Sequence, residues 1–251
     1  MSTTAELRQG NIAFQANLYE SQNPVRRWLH NTRREWVMHM FEKIAPPQAN
    51  FLEIGIGCGI YTVAMAKHGN VTAVDINQDF VDAASAIPRV SATRADIMTH
   101  KFFPTHDIAV CSEVIEHIPD SLTALRNIRT GIKPNGYLIL TTPNSYSTME
   151  LFARLLSIKW VVRLARAIYG ESVDDLGHIN RMTRGQLQAQ IKEAGFIVVN
   201  RTDRGLYIPI LAEFGGVTGA RISHWLARRF RRSPILSNLL WTQCWLLQRP
   251  R

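Results

Sequence analysis

The chain has 251 residues, 46% of them hydrophobic, and a formal net charge of +9. That length suits one α/β domain with insertions, and the apolar content excludes a chain too polar to build a core. Three cysteines, Cys58, Cys111 and Cys244, are odd in number and form no C-x-x-C pair, which argues against a disulfide framework or a structural zinc site. The first twenty residues lack the apolar core of a secretory signal, and no run of about 18 uncharged apolar residues offers a membrane span. A cytoplasmic protein is the expectation. The charge is concentrated late: between Arg201 and Arg251 stand nine arginines against Asp203 and Glu213. Such a segment suits an anionic partner, whether lipid headgroups, a phosphorylated substrate or nucleic acid, and is equally compatible with a solvated basic surface.

Residues 1–47 read as helices, with Trp28, Leu29, Trp36, Val37, Met40, Phe41 and Ile44 at helical spacing and Pro46-Pro47 as the stop. Short apolar strands then alternate with helical stretches. Strand Phe51–Ile54 leads through a glycine-rich turn into a helix over Ile60–His68. Strand Val71–Val74 precedes a helix over Asp79–Ala86, and further strands are expected near Val90–Thr93 and Ile108–Cys111. A helix over Leu122–Arg129 leads to strand Tyr137–Thr141. This alternation predicts a parallel sheet covered on both faces, with ligands at the carboxyl ends of the strands. Residues 145–170 read as one long amphipathic helix or a helix pair. Helix Arg184–Ala194 ends at Gly195, strand Phe196–Asn200 follows, 205–238 form a second insertion, and Leu240–Leu247 is the last strand.

The strongest motif is Phe51-Leu-Glu-Ile-Gly-Ile-Gly-Cys-Gly59. Gly55, Gly57 and Gly59 follow a strand and precede a helix, which lets backbone approach a ligand closely. Asp75, twenty residues after Gly55, ends the next strand, where a carboxylate can accept from ribose hydroxyls. A dinucleotide fingerprint would place its third glycine at position 60, where Ile60 stands. The tighter E-x-G-x-G-x-G turn, with Glu53 in the strand, resembles motif I of the class I S-adenosylmethionine (SAM)-dependent methyltransferases. Asp96-Ile97 after the third strand and Lys133-Pro-Asn-Gly136 before the fifth agree with that family. The resemblance is tight over residues 50–145 and loose elsewhere. It implies a Rossmann-like seven-strand, mostly parallel sheet with helices on both faces, forming a single domain over 1–251. Within it, 1–47 would be the N-terminal helical cover, 48–144 the SAM-binding core, 145–180 a lid insertion and 181–251 the remainder of the fold. It also implies cofactor contacts from Glu53, Gly55, Gly57, Gly59, Asp75, Ile76, Asp96 and Ile97.

After the fourth strand comes Glu113-Val-Ile-Glu116-His117. On a helix, Glu113 and Glu116 would share one face with His117. Two carboxylates and an imidazole there can ligate a divalent cation, Mg²⁺ or similar. This E-x-x-E-H run resembles that of the ubiquinone-biosynthesis O-methyltransferases and that of the small-RNA 3′-end 2′-O-methyltransferases. In the latter a further His completes the metal site, and His178 lies in a comparable stretch. The other reading is that the acids cap helices while His117 and His178 line the pocket or act as general base. Asn23-Pro-Val-Arg26 resembles an element of the ubiquinone enzymes in which the arginine would pair with the carboxylate of SAM; a helix with a basic polar face is the alternative. No G-x-S-x-G elbow, Walker loop or H-E-x-x-H occurs, and the Asn-Pro-Pro-Tyr type signature of amino-group methylators is missing at Cys111-Ser112.

Both insertions alternate apolar and basic residues. In the second, Ile222, Trp225, Leu226 and Phe230 form a stripe among Arg228, Arg229, Arg231 and Arg232, a pattern that suits a membrane interface. The first would pack over the pocket as a lid. The functional expectation is SAM-dependent O-methylation of a hydroxyl on a small, apolar or membrane-derived acceptor, by a protein peripheral to an anionic membrane. RNA 2′-O-methylation is the alternative, and a non-catalytic SAM-binding partner protein the third.

Overall fold

A computed structural model describes residues 12–13, 15–156 and 179–251, except the side chains of 153–156. Residues 12–13 and 15–19 are helical. Helix α1 (Pro24–Ile44) then begins at Asn23, whose side chain accepts from the Val25 and Arg26 amides, with Pro24 as its first residue. The helix stops at Ala45, which is extended because Pro46 follows. The alternating core follows in the expected order: β1 (Ala49–Ile54), α2 (Ile60–Ala66), β2 (Gly69–Asp75), α3 (Gln78–Ser85), β3 (Val90–Arg94), β4 (His106–Ser112), α4 (Ser121–Gly131) and β5 (Ile132–Pro143). Helix α5 (Thr148–Leu156) opens the first insertion. The rest of that expected lid, through residue 178, lies outside the described residues. Helix α6 (Arg184–Glu193), strand β6 (Ile197–Arg204), helices α7 (Pro209–Phe214) and α8 (Gly216–Arg231), and strand β7 (Thr242–Gln248) complete the chain.

The seven strands form one sheet in the order β3-β2-β1-β4-β5-β7-β6. Neighbours from β3 to β5 are parallel, while β7 runs antiparallel to both β5 and β6. The chain winds outward from β1 to β3, then crosses to β4 and continues the other way. Between β1 and β4 the order reverses, so a crevice opens at their carboxyl ends, where such sheets hold ligands. Apolar side chains cover both faces. Leu52, Ile54, Leu138, Leu140 and Trp245 pack with α4 and α6 on one side. Phe51, Val71, Ile108 and Ile139 pack with α1, α2 and α3 on the other.

The second insertion folds onto α1. Helix α8 turns Gly219, Ser223 and Ala227, one residue per turn, inward. Leu226 and Phe230 are half-buried against Leu206, Ala227 and Leu240. The expected apolar stripe is therefore divided: Leu226 and Phe230 belong to the fold, whereas Ile222 and Trp225 face outward.

Candidate active site

The glycine turn sits at the end of β1. Gly55, Gly57 and Gly59 take φ values of +79°, +54° and +74°, a left-handed backbone that only glycine adopts without strain. A side chain on Gly55 would lie 2.3 Å from Val114 Cγ2, and one on Gly57 2.5 Å from Gln15 Oε1. The bare backbone thus runs between the loop after β4 and the N-terminal helical residues. Asp75, at the end of β2, fastens this turn: its Oδ2 accepts from the Ile56 amide at 2.7 Å and the Gly57 amide at 3.4 Å, and its Oδ1 accepts from Asn77 N at 2.8 Å. A carboxylate has roughly four acceptor positions, so Asp75 keeps capacity for a ligand hydroxyl.

Beside it, Glu53 is buried. Its Oε2 accepts from the Thr62 hydroxyl at 2.5 Å and its Oε1 has no partner. Burial pushes its pKa up to about 8, against the opposing Thr62 hydrogen bond. Ile76 leaves 66% of its surface exposed next to Asp75. Asp96 is exposed, with Oδ1 accepting from the Met98 amide at 2.8 Å, and Ile97 is buried beneath it. The Ala95 amide donates to the Asp75 carbonyl at 2.9 Å, which brings the exits of β2 and β3 together. Bare backbone, spare carboxylate acceptors, an unpartnered buried carboxyl oxygen and an open apolar side chain fit a cationic nucleoside ligand such as SAM.

The segment after β4 differs from its expectation. Glu113 and Glu116 do not share a helix face. Glu113 is left-handed, at φ +57°, and Glu116 lies in a 3-10 turn, Ile115–His117. Glu113 is fully engaged: Oε2 pairs with Arg33 at 2.9 Å, and Oε1 accepts from the Thr141 and Thr242 hydroxyls, each at 3.0 Å. Glu116 is buried, with Oε2 accepting from the Thr142 hydroxyl at 3.0 Å and Oε1 unpartnered. Burial, then the neighbouring Glu113, holds its pKa well above the usual carboxylate range. His117 is exposed on the turn. A hard cation needs ionised, converging oxygens. Here one carboxylate is neutralised by an arginine, and burial beside Glu113 disfavours ionisation of the other. Among the described residues no group of three or more His, Cys, Asp and Glu side chains is arranged to hold a metal ion. The expected cation site is therefore not formed by Glu113, Glu116 and His117; His178 lies outside the described residues.

Arg26 also has another partner. Its guanidinium pairs with Glu213 at 3.1 Å, and Tyr207 donates to the same carboxylate at 2.9 Å. That pairing occupies its guanidinium in this structure, and Asn23-Pro24 beside it is the helix cap. Arg33, two turns further on the same face of α1, reaches the strand ends instead. It is buried, pairs with Glu113, donates to the Tyr19 hydroxyl at 3.4 Å and stacks 5.0 Å from the Trp241 ring centre. Burial, the largest single influence, opposes its charge, but Glu113, Tyr19 and Tyr61 together outweigh it and its pKa stands well above the ordinary guanidinium value. His30 nearby is held neutral by burial and by Arg33 and Arg26, its pKa lowered to about 3.

Arg33, Thr141, Thr142 and Thr242 escaped the sequence reading. A signal existed for the first: Arg33 falls on the apolar face shared by Leu29, Trp36, Val37 and Met40. An arginine on such a face needs an acidic partner. Thr141-Thr142 likewise follow the apolar run Leu138-Ile-Leu140 of β5.

A family model described as a methyltransferase domain matches residues 25–200. A ubiquinone biosynthesis O-methyltransferase of Xanthomonas campestris is 28% identical over 175 residues, covering 65% of this chain and 72% of its own. The mitochondrial ubiquinone biosynthesis O-methyltransferase of Schizosaccharomyces pombe is 28% identical over 196 residues, covering 66% and 70%. The solved N-methyltransferase NodS of Bradyrhizobium japonicum, in complex with S-adenosyl-L-homocysteine, aligns over 100% of both chains with a TM-score of 0.58 at 15% identity. That likeness shows the fold and leaves the acceptor atom open. With its sheet order and glycine turn, the chain belongs to the methyltransferase domain family and is a SAM-dependent methyltransferase.

Proposed function

We propose that the protein methylates a hydroxyl oxygen on a small, apolar, membrane-derived acceptor such as a substituted catechol. The observation that carries this is the Glu113–His117 turn at the carboxyl end of β4, whose E-x-x-E-H spacing resembles that of the ubiquinone enzymes. The two curated relatives, both named as O-methyltransferases, support it. The cofactor would be held by Glu53, Gly55, Gly57 and Gly59 at one end and by Asp75, Ile76, Asp96 and Ile97 at the other.

Bound SAM supplies a methyl group already activated on a sulfonium sulfur. The protein's own task is then to orient the acceptor and take its proton. His117, exposed on the turn, is the proton acceptor. Ser112 and Thr141, whose hydroxyls are 2.8 Å apart, lie on adjacent strand ends, and Ser112, the more exposed of the two, would flank the acceptor oxygen. Arg33 acts through Glu113: by pairing with it, the arginine fixes the left-handed residue from which the turn starts.

The acceptor's source is the membrane surface. On α7 and α8, Phe214 and Trp225 are 79% and 61% exposed, and Val217 is also exposed. Residues 214–251 contain seven arginines and no acid. Each basic residue near an anionic leaflet contributes about 1 kcal/mol, and inserted aromatic side chains add to that. The same charge favours a second reading, RNA 2′-O-methylation, which would not need the apolar side chains. Incubating the protein with labelled SAM and, separately, lipid extract, catechols and total RNA distinguishes the two. Label in the lipid or catechol pool is expected; label in RNA alone contradicts the proposal.

A further inference from the structure

The sheet ends at β6, which has β7 on one side and no strand on the other. Its two halves differ. From Arg201 to Arg204 the strand is half-buried or buried, and Asp203 pairs there with Arg184 and Arg201. From Ile197 to Asn200 every residue is exposed, and Ile197, Val198 and Val199 leave 53%, 39% and 49% of their surfaces open. Successive residues of a strand point to opposite faces, so Ile197 and Val198 leave an apolar side chain open on each face. Among the described residues, no group outside β7 hydrogen-bonds the backbone of Ile197–Asn200.

Edge strands are ordinarily guarded by charge, by proline, by a covering element or by a bulge. The run Ala194–Asn200 contains no charged residue and no proline. A bulge between Val198 and Asn200 is the one guard this stretch carries. It sets Val199 and Asn200 together along a groove of about 270 Å³ that Met40, Ile44, Tyr137 and Leu246 also line. The opposite edge of the sheet, β3, is built differently: its exposed residues are Ser91, Thr93 and Arg94.

We infer that β6 is the contact surface for a second copy of this chain, which adds its own β6 antiparallel across a two-fold axis. The segment is complementary to itself. With the axis at the middle of the open stretch, between Val198 and Val199, Ile197 of each copy lies opposite Asn200 of the other, and Arg201 lies opposite Phe196. No two arginines meet, and the charged halves run apart in opposite directions. A parallel arrangement would instead set like charges side by side, which is destabilising. Pairing satisfies the outward N–H and C=O groups of the edge, and the incoming apolar side chains cover the groove. The contact uses up β6 in both copies, and the polar β3 edges offer no second one, so assembly stops at a dimer.

Sedimentation velocity of the whole protein over a series of concentrations tests this pairing. The mass should rise from 28.5 kDa toward twice that value. Val199→Lys and Ile197→Lys should each raise the dissociation constant at least roughly tenfold. Both side chains are exposed, so both variants should keep the wild-type unfolding midpoint, which separates lost pairing from a lost fold. Phe103→Lys, at a side chain 71% exposed ahead of β4, should dimerise as wild type does. Amide exchange at residues 197–200 should slow as the dimer forms. A monomer at every concentration overturns the inference, as does a dimer that persists in both lysine variants. A dimer broken by Trp225→Ser on α8 but not by Val199→Lys places the interface on the other apolar surface and equally overturns it. Assembly that continues beyond two copies contradicts the two-fold pairing.

Discussion

Replacing Arg33 by Met tests how the turn after β4 is held. The substitution keeps an unbranched apolar stem on α1 but removes the only cation paired with Glu113 among the described residues. The Arg33 and Glu113 side chains are 8% and 18% exposed, so solvent screens the pair little. Breaking a buried ion pair from one side costs about 3–5 kcal/mol, because the remaining charge is stranded. Glu113 would keep its Thr141 and Thr242 donors, which points to the lower end, about 3 kcal/mol. For a chain of this size that corresponds to a fall of about 6–12 °C in the unfolding midpoint. Urea unfolding of wild type, Arg33→Met, Glu113→Gln and the double variant measures it. In the double variant no charge is stranded, so much of the loss should be recovered and the two effects should be strongly non-additive. An Arg33→Met protein within about 0.5 kcal/mol of wild type, or a strictly additive cycle, would refute this account of the turn.

Three further outcomes follow. Glu53 has its pKa raised from 4.5 to about 8, so the folded apoprotein retains a proton that the unfolded chain releases as pH rises. Its stability contribution is fully present below pH 4.5 and lost toward pH 8, so Glu53→Gln should become progressively more stable relative to wild type across that window; a flat difference contradicts the buried, neutral carboxyl. Methyl transfer should proceed undiminished in EDTA, since Glu113 is paired with Arg33 and no metal-holding cluster forms among the described residues, and a loss restored by Mg²⁺ would contradict that assignment. Phe214→Ser with Trp225→Ser should weaken sedimentation with anionic vesicles while leaving unfolding unchanged, because both side chains project outward; wild-type protein that ignores such vesicles at about 0.1 M salt removes the membrane reading.

The core of the fold was legible because its signals are local. Strand–helix alternation, the left-handed glycines 55, 57 and 59, and Asp75 at the next strand end each follow from short-range patterns. The site around β4 was less legible because it is built from long-range partners. Periodicity put Glu113 and Glu116 on one helix face, whereas Glu113 turns left-handed to meet Arg33, 80 positions earlier, and Thr242, 129 positions later. Arg26, which the sequence assigned to the cofactor, pairs in this structure with Glu213, 187 positions away. In α8 the pattern gave the amphipathic helix but not its rotation, since small residues at 219, 223 and 227 are buried, Gly219 directly against the backbone of Leu211 in α7. Leu226 and Phe230 were consequently carried inward with it.

Calorimetric titration of the apoprotein with SAM tests the central claim most directly, with Ile76→Asp as the paired variant. Ile76 is largely exposed, so the substitution should leave the fold intact while placing a charge where the nucleoside would rest. Wild type should bind one SAM per chain, and Ile76→Asp should bind it at least roughly tenfold more weakly, about 1.4 kcal/mol. Absence of saturable binding by wild type, or equal affinity in the two proteins, would contradict a cofactor seated across the glycine turn and the ends of β2 and β3.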